Sequence, residues 1–573
     1  MKYFFASTSN QDFFDIENNI IYAGDWCFDI DDKKIRKNDI LLKYKWSDAN
    51  DVYAAQIKCK EIYKYILPKL AKEINDYTGL KNTNNYYHIL LGNWLMHFVH
   101  QAYSKYDQII ESRKYGNIYS WCLDNSDYQF PSNFNEFSSS QDDDNYQLQI
   151  YSSLFKLMEI PHELKKLNKI NKKIHKSKKN NLRKLLLNSI NFFYSLFKGR
   201  NKINIINPRF RKNNIINQFI IFINSRSKII FDNFDLDNKF DINIDHEYRF
   251  IRKKNSKDIK DIIFNLVLIN VPSDYLENHV KYLLSVKKIK VYKNNSYYTC
   301  SDIWMNSNLQ FFFATNYEKI NIFTSQHGIG YGQDKIHIGE DYEKSIAKIF
   351  LTFGWRDSKK TIPIHRSKCF SKKHNYKKFS KILFVKSARQ RFLFRFKNGP
   401  TSSKLITDYY HYPLEFFKNT THIDYISIRP HPVESFRKWN FVNNLLNNFP
   451  NIKLDKQKNI YKSLSDTRIF LSDHLGTSFL ESIEANIPSF LILNKSSYKF
   501  RDDFIDIFNE LVKLRIIFFS PEKASHFIDK NYKNIDSFWE DQKIQSLRKK
   551  LINSHYLTSN NWTKEFINTL LDI

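Results

Sequence analysis

The sequence predicts an α/β protein of doubly wound, Rossmann-like architecture. Two observations carry this. From Lys381 to Leu493, short apolar runs alternate with stretches of helical periodicity, and the scarce glycines gather where such runs end. Strand–helix alternation is the pattern of a parallel sheet covered on both faces. Six of the 12 glycines (Gly24, Gly328, Gly330, Gly332, Gly354 and Gly476) follow a predicted strand or lie in the loop beyond it. In such sheets ligands bind outside the carboxyl ends of the strands, where backbone turns sharply or approaches a ligand.

Taken in order, residues 19–23 (NIIYA) read as a first strand that runs into Gly24-Asp25-Trp26-Cys27. Residues 51–76 have helical periodicity, with Pro68 expected to kink or break the helix. A second, aromatic-rich helix is expected at 86–106, and a polar loop at 138–145. Residues 162–213 are Lys/Asn-rich around an apolar island at 185–197, and read as a helical insertion at the edge of the N-terminal domain. Alternating apolar segments follow at 218–224 and 261–271. Residues 309–315 and 320–325 read as helix and strand before a Gly-rich loop, and 349–353 as a strand closed by Gly354-Trp355. A polar, basic linker is expected at 359–379. Beyond it come strands at Lys381–Val385, 424–429, 468–472 and 489–493, with helices at 402–418, 433–447 and 477–485. The expected division is an N-terminal acceptor-side domain over 1–358, a C-terminal donor domain over 380–545, and C-terminal helices at 546–573 that pack back on the N-terminal domain.

Bulk properties exclude several classes. The 573 residues, 42% hydrophobic, suffice for two or three domains with proper cores. The net charge is +29, yet residues 162–213 alone hold 16 Lys or Arg against one acid, Glu163. That concentration argues against a nucleic-acid-binding protein, which interleaves bases with aromatics on one surface. The segment reads as a solvated charged face, with a lipid-surface or polyanion contact as the alternative. The five cysteines are scattered, with no metal-binding spacing, as suits a reducing cytoplasm. Asp12 interrupts the N-terminus before a signal-peptide core forms, and no apolar run approaches the roughly 20 residues of a membrane span. The expected location is therefore cytoplasmic, with any membrane contact peripheral.

Five loops could carry chemistry. In Asp473-His474-Leu475-Gly476, followed by a helix from Thr477, the free N–H groups of the helix start form an anion site. Thr477 and Ser478 can add hydroxyl donors, and Glu481 can accept from a ribose or base. Ser478-x-x-Glu481 fits a capping box equally well. In Ile428-Arg429-Pro430-His431-Pro432, two prolines stiffen a loop that offers Arg429 to a phosphate and His431 to a phosphate or leaving group. Lys386-Ser387-Ala388-Arg389 could meet a pyrophosphate or be an ordinary basic loop. Three glycines follow Gln326-His327 (Gly328, Gly330 and Gly332, with Tyr331 between), a loop that matches neither a phosphate-binding P-loop nor a dinucleotide fingerprint. Asp25 could serve as a general base or cap the next helix.

Together these residues resemble the leptospiral-type O-antigen-associated transferase family found in surface-polysaccharide gene clusters. Gly24-Asp25-Trp26-Cys27 is similar to its G-[ED]-W-C signature, and Leu91-Gly92-Asn93-Trp94-Leu95 to its LGPWL helix, with Asn93 for Pro. Gln326-His327-Gly328 through Tyr331-Gly332 is similar to its QHGGxYG loop, with Ile329 for Gly, and Thr352-Phe353-Gly354-Trp355 to its WGW-type segment. Asp473-His474, Gly476-Thr477, Leu480-Glu481, Asn486 and Pro488 are similar to its DHPGTxxLE…N-P element, with Leu475 for Pro. One departure concerns the stretch Glu343-Lys344-Ser345-Ile346-Ala347-Lys348, where an acid is expected near position 348. The resemblance implies a GT-B-like fold, two Rossmann-like domains facing across a cleft with the donor in the C-terminal one. It also implies metal-independent chemistry without a cofactor. A more distant similarity of His431-Pro432 and Thr477-Ser478 to Kdo-, sialyl- and glycerophosphate-transferring enzymes implies a cytidine-linked donor.

The reading that results is sugar transfer from a nucleotide-activated donor to a hydroxyl of a lipid-linked or growing surface glycan. Asp25 or His327 would take the acceptor proton, with Gly24, Trp26, Gln326, Gly328, Gly330 and Tyr331 shaping the acceptor loops. Arg389, Arg429, His431, Gly476, Thr477 and Ser478 would hold the donor phosphate, and Glu481 the nucleoside. Polyol-phosphate transfer is the alternative within the same fold, and a basic nucleic-acid-binding or non-catalytic scaffold the alternative outside it.

Overall fold

The structure, a computed structural model, describes residues 2–28, 35–43, 45–46, 48–168, 189–190, 192–208, 210, 215–232, 234, 240–241, 243–251, 257–370, 374–388, 390–399, 403–432 (backbone only at 403–408 and 410) and 441–573. Its frame is three parallel sheets. The first has the order β3-β2-β1-β4-β5, from β1 Lys2–Ala6, β2 Ile20–Tyr22, β3 Ile40–Leu41, β4 Asn117–Leu123 and β5 His162–Lys165. The second has the order β11-β10-β9-β8-β6-β7, from β6 Ile203–Ile206, β7 Ile229–Asp232, β8 Ser296–Thr299, β9 Asn321–Ser325, β10 Ile349–Thr352 and β11 Thr361–Pro363. A two-residue strand, β12 Arg366–Ser367, follows. The third sheet has the order β15-β14-β13-β16-β17-β18, from β13 Lys381–Val385, β14 Ile426–Arg429, β15 Lys453–Leu454, β16 Thr467–Ser472, β17 Ser489–Ile492 and β18 Ile517–Phe518.

The predicted class, α/β with parallel Rossmann-like sheets, holds, but the number of sheets differs. One N-terminal sheet was expected over 1–358; residues 2–165 and 203–363 form two. They share one hydrophobic core, in which Phe4 and Leu95 from the first part join Leu266 and Phe312 from the second. The described ends of the Lys/Asn-rich stretch 162–213 are strands, and the helical insertion expected there falls mainly on residues outside the described ones. The stretch begins as β5 and ends in β6, a strand between β7 and β8, so it connects two sheets; residues 169–188 lie outside those described. The expected linker also differs, since β11 within it is the edge strand of the middle sheet.

Smaller differences have local causes. The helix Ala49–Thr78 runs through Pro68 without interruption. Pro68 and Lys64, whose carbonyl loses its partner, are both exposed, so water can satisfy the orphaned group. The apolar segments at 218–224 and 261–271 belong to the helices Ile215–Asn224 and Ile259–Asn270.

Two crossings tie the C-terminal sheet to the rest. Residues 390–399, beyond β13, leave the third sheet and insert Phe392, Leu393 and Phe396 into the N-terminal core. After the helix Gln542–His555, β19 Thr558–Ser559 pairs with β12, and the helix Trp562–Leu571 packs Trp562, Phe566 and Leu570 on the middle sheet.

Candidate functional site

Strand order locates the crevices. In the C-terminal sheet the chain starts at β13, winds out through β14 and β15, then returns to β16 on the other side. The carboxyl ends of β13 and β16 therefore diverge, and such a switch point opens a binding crevice. The register puts Val385 beside Ser472, so Lys386 and Asp473 emerge side by side. Lys386 Nζ lies 2.6 Å from Asp473 Oδ2, and both side chains are closed off from solvent. The Lys386 ammonium also sits 3.5 Å from the centroid of Tyr409. Burial alone would raise the Asp473 carboxyl, but Lys386 and His474 hold it well below the usual carboxylate range. Asp473 Oδ1 in turn meets His474 Nδ1 at 3.0 Å, and Ser472 Oγ meets the same nitrogen at 2.9 Å.

His474 thus has a fixed ring at the start of the helix Thr477–Glu484. A Cβ added at Gly476 would lie 2.3 Å from His474 Nε2, so only glycine lets the imidazole fold over this turn. The helix has Gly476 as its N-cap and no side-chain cap. The capping box Ser478–Glu481 does not form; Glu481 is buried and accepts hydrogen bonds from Tyr461 (3.1 Å) and Tyr556 (3.4 Å). Thr477 and Ser478 are partly exposed at the helix start, as an anion site requires.

The other predicted donor residues divide. His431 stands exposed beyond β14, one strand from Lys386. Arg429 is committed elsewhere: its Nη1 donates to Asp455, Ser463 and the Gln457 carbonyl. Lys386 is engaged by Asp473, and Arg389 lies outside the described residues.

The middle sheet has its own switch point between β6 and β8, and a cleft opens there. Pro208, Tyr298, Gln326, His327, Arg366 and Trp562 are among the residues lining it. Gln326 braces the loop, because its Oε1 accepts from the Phe353 amide (3.0 Å) and from Trp355 Nε1 (2.8 Å). Gly328 meets no neighbour where a side chain would start, while Gly330 and Gly332 have φ of +95° and +67°. A Cβ at Gly332 would fall 2.5 Å from the Trp355 ring. His327 Nδ1 lies 3.4 Å from Glu343 Oε1 and 3.1 Å from the Tyr331 hydroxyl. Trp304 Nε1 donates to the same Glu343 oxygen at 2.8 Å. Burial pushes the Glu343 carboxyl up, against the lowering effect of His327, Tyr331 and Trp304. Beside this loop Asp334 is buried and pushed up to about 7, chiefly by desolvation, although Asn398 donates to its Oδ1 at 2.8 Å.

Asp25 is not brought to this cleft. It is buried on the first sheet, in the short 3-10 turn Asp25–Cys27 that packs against the helix Ser403–Asn419. Gly24 is covered by the Trp26 ring, whose Nε1 donates to the Ser7 carbonyl. What joins Asp25 and His327 is the crossing segment. Arg391 donates to the Trp26 carbonyl and pairs with Asp144 at 3.1 Å, while Arg395 reaches His97 at 3.1 Å and lies 5.8 Å from the Trp304 ring, which packs on His327. Among the described residues, no group of three His, Cys, Asp or Glu side chains is gathered to hold a metal ion.

Sequence reasoning passed over Glu343, His474 and the acids of 142–144. Glu343 lies five residues before position 348, where the resemblance leads to the expectation of an acid. His474 lies in a sequence whose helix start, and not its imidazole, draws attention. Asp142 and Asp144 fall in the expected polar loop 138–145, yet they accept from the Arg391 amide and guanidinium.

Residues 3–570 match the family described as LIC12162 family transferase. The chain belongs to that family. Its members are described as transferases. No curated protein matches the chain. Among solved structures, Anabaena HepE in complex with UDP is similar at 8% identity and TM-score 0.35, covering 65% of this chain and 100% of that one. A glycosyltransferase from Rickettsia africae is similar at 15% identity and TM-score 0.33, over 65% and 98%. Staphylococcus aureus MnaA with UDP is similar at 10% identity and TM-score 0.34, over 64% and 95%. TM-scores this low leave the arrangement of the three sheets to be described from this chain alone.

Proposed function

We propose that this transferase moves a glycosyl group from a nucleotide-activated donor to a hydroxyl of a lipid-linked or growing surface glycan. The acceptor would sit in the middle-sheet cleft and the donor at the switch point of the C-terminal sheet. The observation that carries the reading is the His327–Glu343 pair at the lining of that cleft. An imidazole backed by a buried carboxylate suits removal of a hydroxyl proton, because the carboxylate stabilises the imidazolium that forms. The acceptor oxygen then bonds to the anomeric carbon. The bond from that carbon to the phosphate oxygen breaks, and the nucleotide leaves with the electron pair.

The leaving phosphate would meet the N–H groups of Thr477 and Ser478, their hydroxyls and His474, a preorganised set that stabilises developing charge. His431 would approach from the neighbouring strand end. The buried Lys386 would act through Asp473, by fixing the carboxylate that orients His474. Asp25 would shape the acceptor side from the first sheet. A cytidine-linked donor is the first choice, on the more distant similarity of His431-Pro432 and Thr477-Ser478 to enzymes that use such donors.

The test is nucleotide release from CMP-, CDP-, UDP- and GDP-linked sugars by wild type and His327→Ala. The proposal expects release from one nucleotide class and its loss in the variant. Release from none, or equal release by both proteins, would remove it. Release from CDP-glycerol alone would make the enzyme a polyol-phosphate transferase.

A further inference from the structure

An apolar face at the edge of the middle sheet has no role in either crevice. The helix Ile215–Asn224 (IINQFIIFIN) leads into the edge strand β7 and buries only Ile221 and Phe222. Ile216, Phe219 and Ile223 stand out from it, and Phe192, Leu196 and Phe197 stand out from the helical residues beside it. All six are 38–69% exposed. The two pieces form one surface, since Phe193 packs on Phe219 and Phe222, and Phe197 on Phe222. A helix that keeps five large apolar side chains in water, with two buried, has the composition of one whose outer face meets something apolar.

Charge selects the occupant. From 164 to 231 the sequence holds 18 Lys or Arg and no acid. Arg200 follows the first helical piece and Arg226 and Lys228 follow the second, and all three are exposed. A second copy of this chain would bring like charges together. A nucleic acid would satisfy the cations but leave the Phe and Ile side chains in water. An anionic lipid surface answers both, with headgroups for the bases and acyl chains for the apolar residues. Among the described residues no helix is long and apolar enough to cross a membrane, so the contact is one of lying on the surface.

We propose that the face formed by Ile215–Asn224 and residues 192–197 docks the protein on an anionic lipid surface. The helix Trp562–Leu571 packs against Ile215–Asn224 and also supplies Trp562 and Phe566 to the cleft that holds His327. Docking therefore sets that cleft beside the lipid, where a lipid-linked acceptor would be found; this consequence rests on the function proposed above, while the docking does not.

The experiment is flotation of the full-length protein with vesicles of phosphatidylcholine, alone or mixed with phosphatidylglycerol, for wild type and for the combined variant Phe192→Ser, Leu196→Ser, Phe219→Ser, Ile223→Ser. Wild type should float with the mixed vesicles and not with phosphatidylcholine alone, and added salt should release it. The variant should bind the mixed vesicles at least about tenfold more weakly, with an unchanged melting temperature and unchanged nucleotide release in solution. Wild type that stays unbound with mixed vesicles overturns the proposal, as does a variant that floats equally well. So does a wild-type dimer that the variant converts to monomer. Absence of nucleotide release from both proteins, with flotation as expected, would count against the proposed function and leave the docking intact.

Discussion

Lys386 and Asp473 form an ion pair, Nζ to Oδ2 2.6 Å, sealed from solvent at the point where the C-terminal sheet reverses its winding. The pair stands behind His474 and joins the two strand ends that border the crevice. Buried pairs of this kind are costly to break, because the surviving partner keeps its charge without compensation.

Lys386→Met should therefore destabilise the protein by about 3–5 kcal/mol, and Asp473→Asn by a similar amount. The double change Lys386→Met, Asp473→Leu should recover much of the loss. Urea unfolding of the three variants checks this. The Asp473 carboxyl titrates lower in the folded chain than in the unfolded one, so its contribution is complete above the ordinary carboxylate range and is lost as pH falls through the folded value. Acid unfolding of wild type should show that loss, and the double variant should lack it.

His327→Ala should lower kcat by about 10²–10⁴-fold while the melting temperature holds, since the ring is partly open to the cleft. Glu343→Gln should cut kcat less and move the pH profile, because the amide cannot stabilise an imidazolium. Steady-state kinetics across pH separates the two effects.

At Gly476 a methyl group would collide with His474 Nε2. Gly476→Ala should push the imidazole off the helix start and weaken nucleotide binding about tenfold or more, at a stability cost of about 1–3 kcal/mol. Calorimetric titration with the free nucleotide, beside a thermal melt, distinguishes a displaced ring from a damaged fold.

Asp334 supplies a pH signature. Its folded value is raised to about 7, so between the ordinary carboxylate range and neutrality the folded chain holds a proton that the unfolded chain has lost. Stability from this group is present at low pH and falls as pH rises through about 7. The span is on the order of 4 kcal/mol at most. Asp334→Asn should remove that fall, and the difference between wild-type and variant melting temperatures should widen in favour of the variant from pH 4 to pH 7.

Much of the C-terminal sheet could be read in advance, for physical reasons. KILFV and RIFLS are buried on both faces and bounded by helices with clear periodicity, so their sequences are nearly continuous apolar runs. The first two sheets read as one in the sequence because their strands are short and ambiguous. β5 is HELK, wholly polar but for Leu164, and β8 is SYYT. No local pattern says that either sits in a ladder. The start of the helix at Thr477 and the glycine-rich turn after His327 were legible, since both depend on residues adjacent in sequence. Glu343 and the Lys386 ion pair were not, because each acquires its role from a residue that the fold brings from elsewhere in the chain: Glu343 from His327 in the loop beyond β9, and Lys386 from Asp473 beyond β16. The same holds for Arg429, whose partner Asp455 lies across β15 and takes the guanidinium that the sequence assigns to phosphate.

The most direct test of two crevices with separate duties is to measure nucleotide binding and transfer on the same two variants, His327→Ala and His474→Ala. Titration with the nucleotide that wild type releases should give His327→Ala unchanged affinity and His474→Ala at least about tenfold weaker affinity, while both lose transfer. Equal nucleotide affinity in the two variants, or loss of binding in His327→Ala with binding kept in His474→Ala, would contradict the assignment of donor to the C-terminal sheet and acceptor to the middle one.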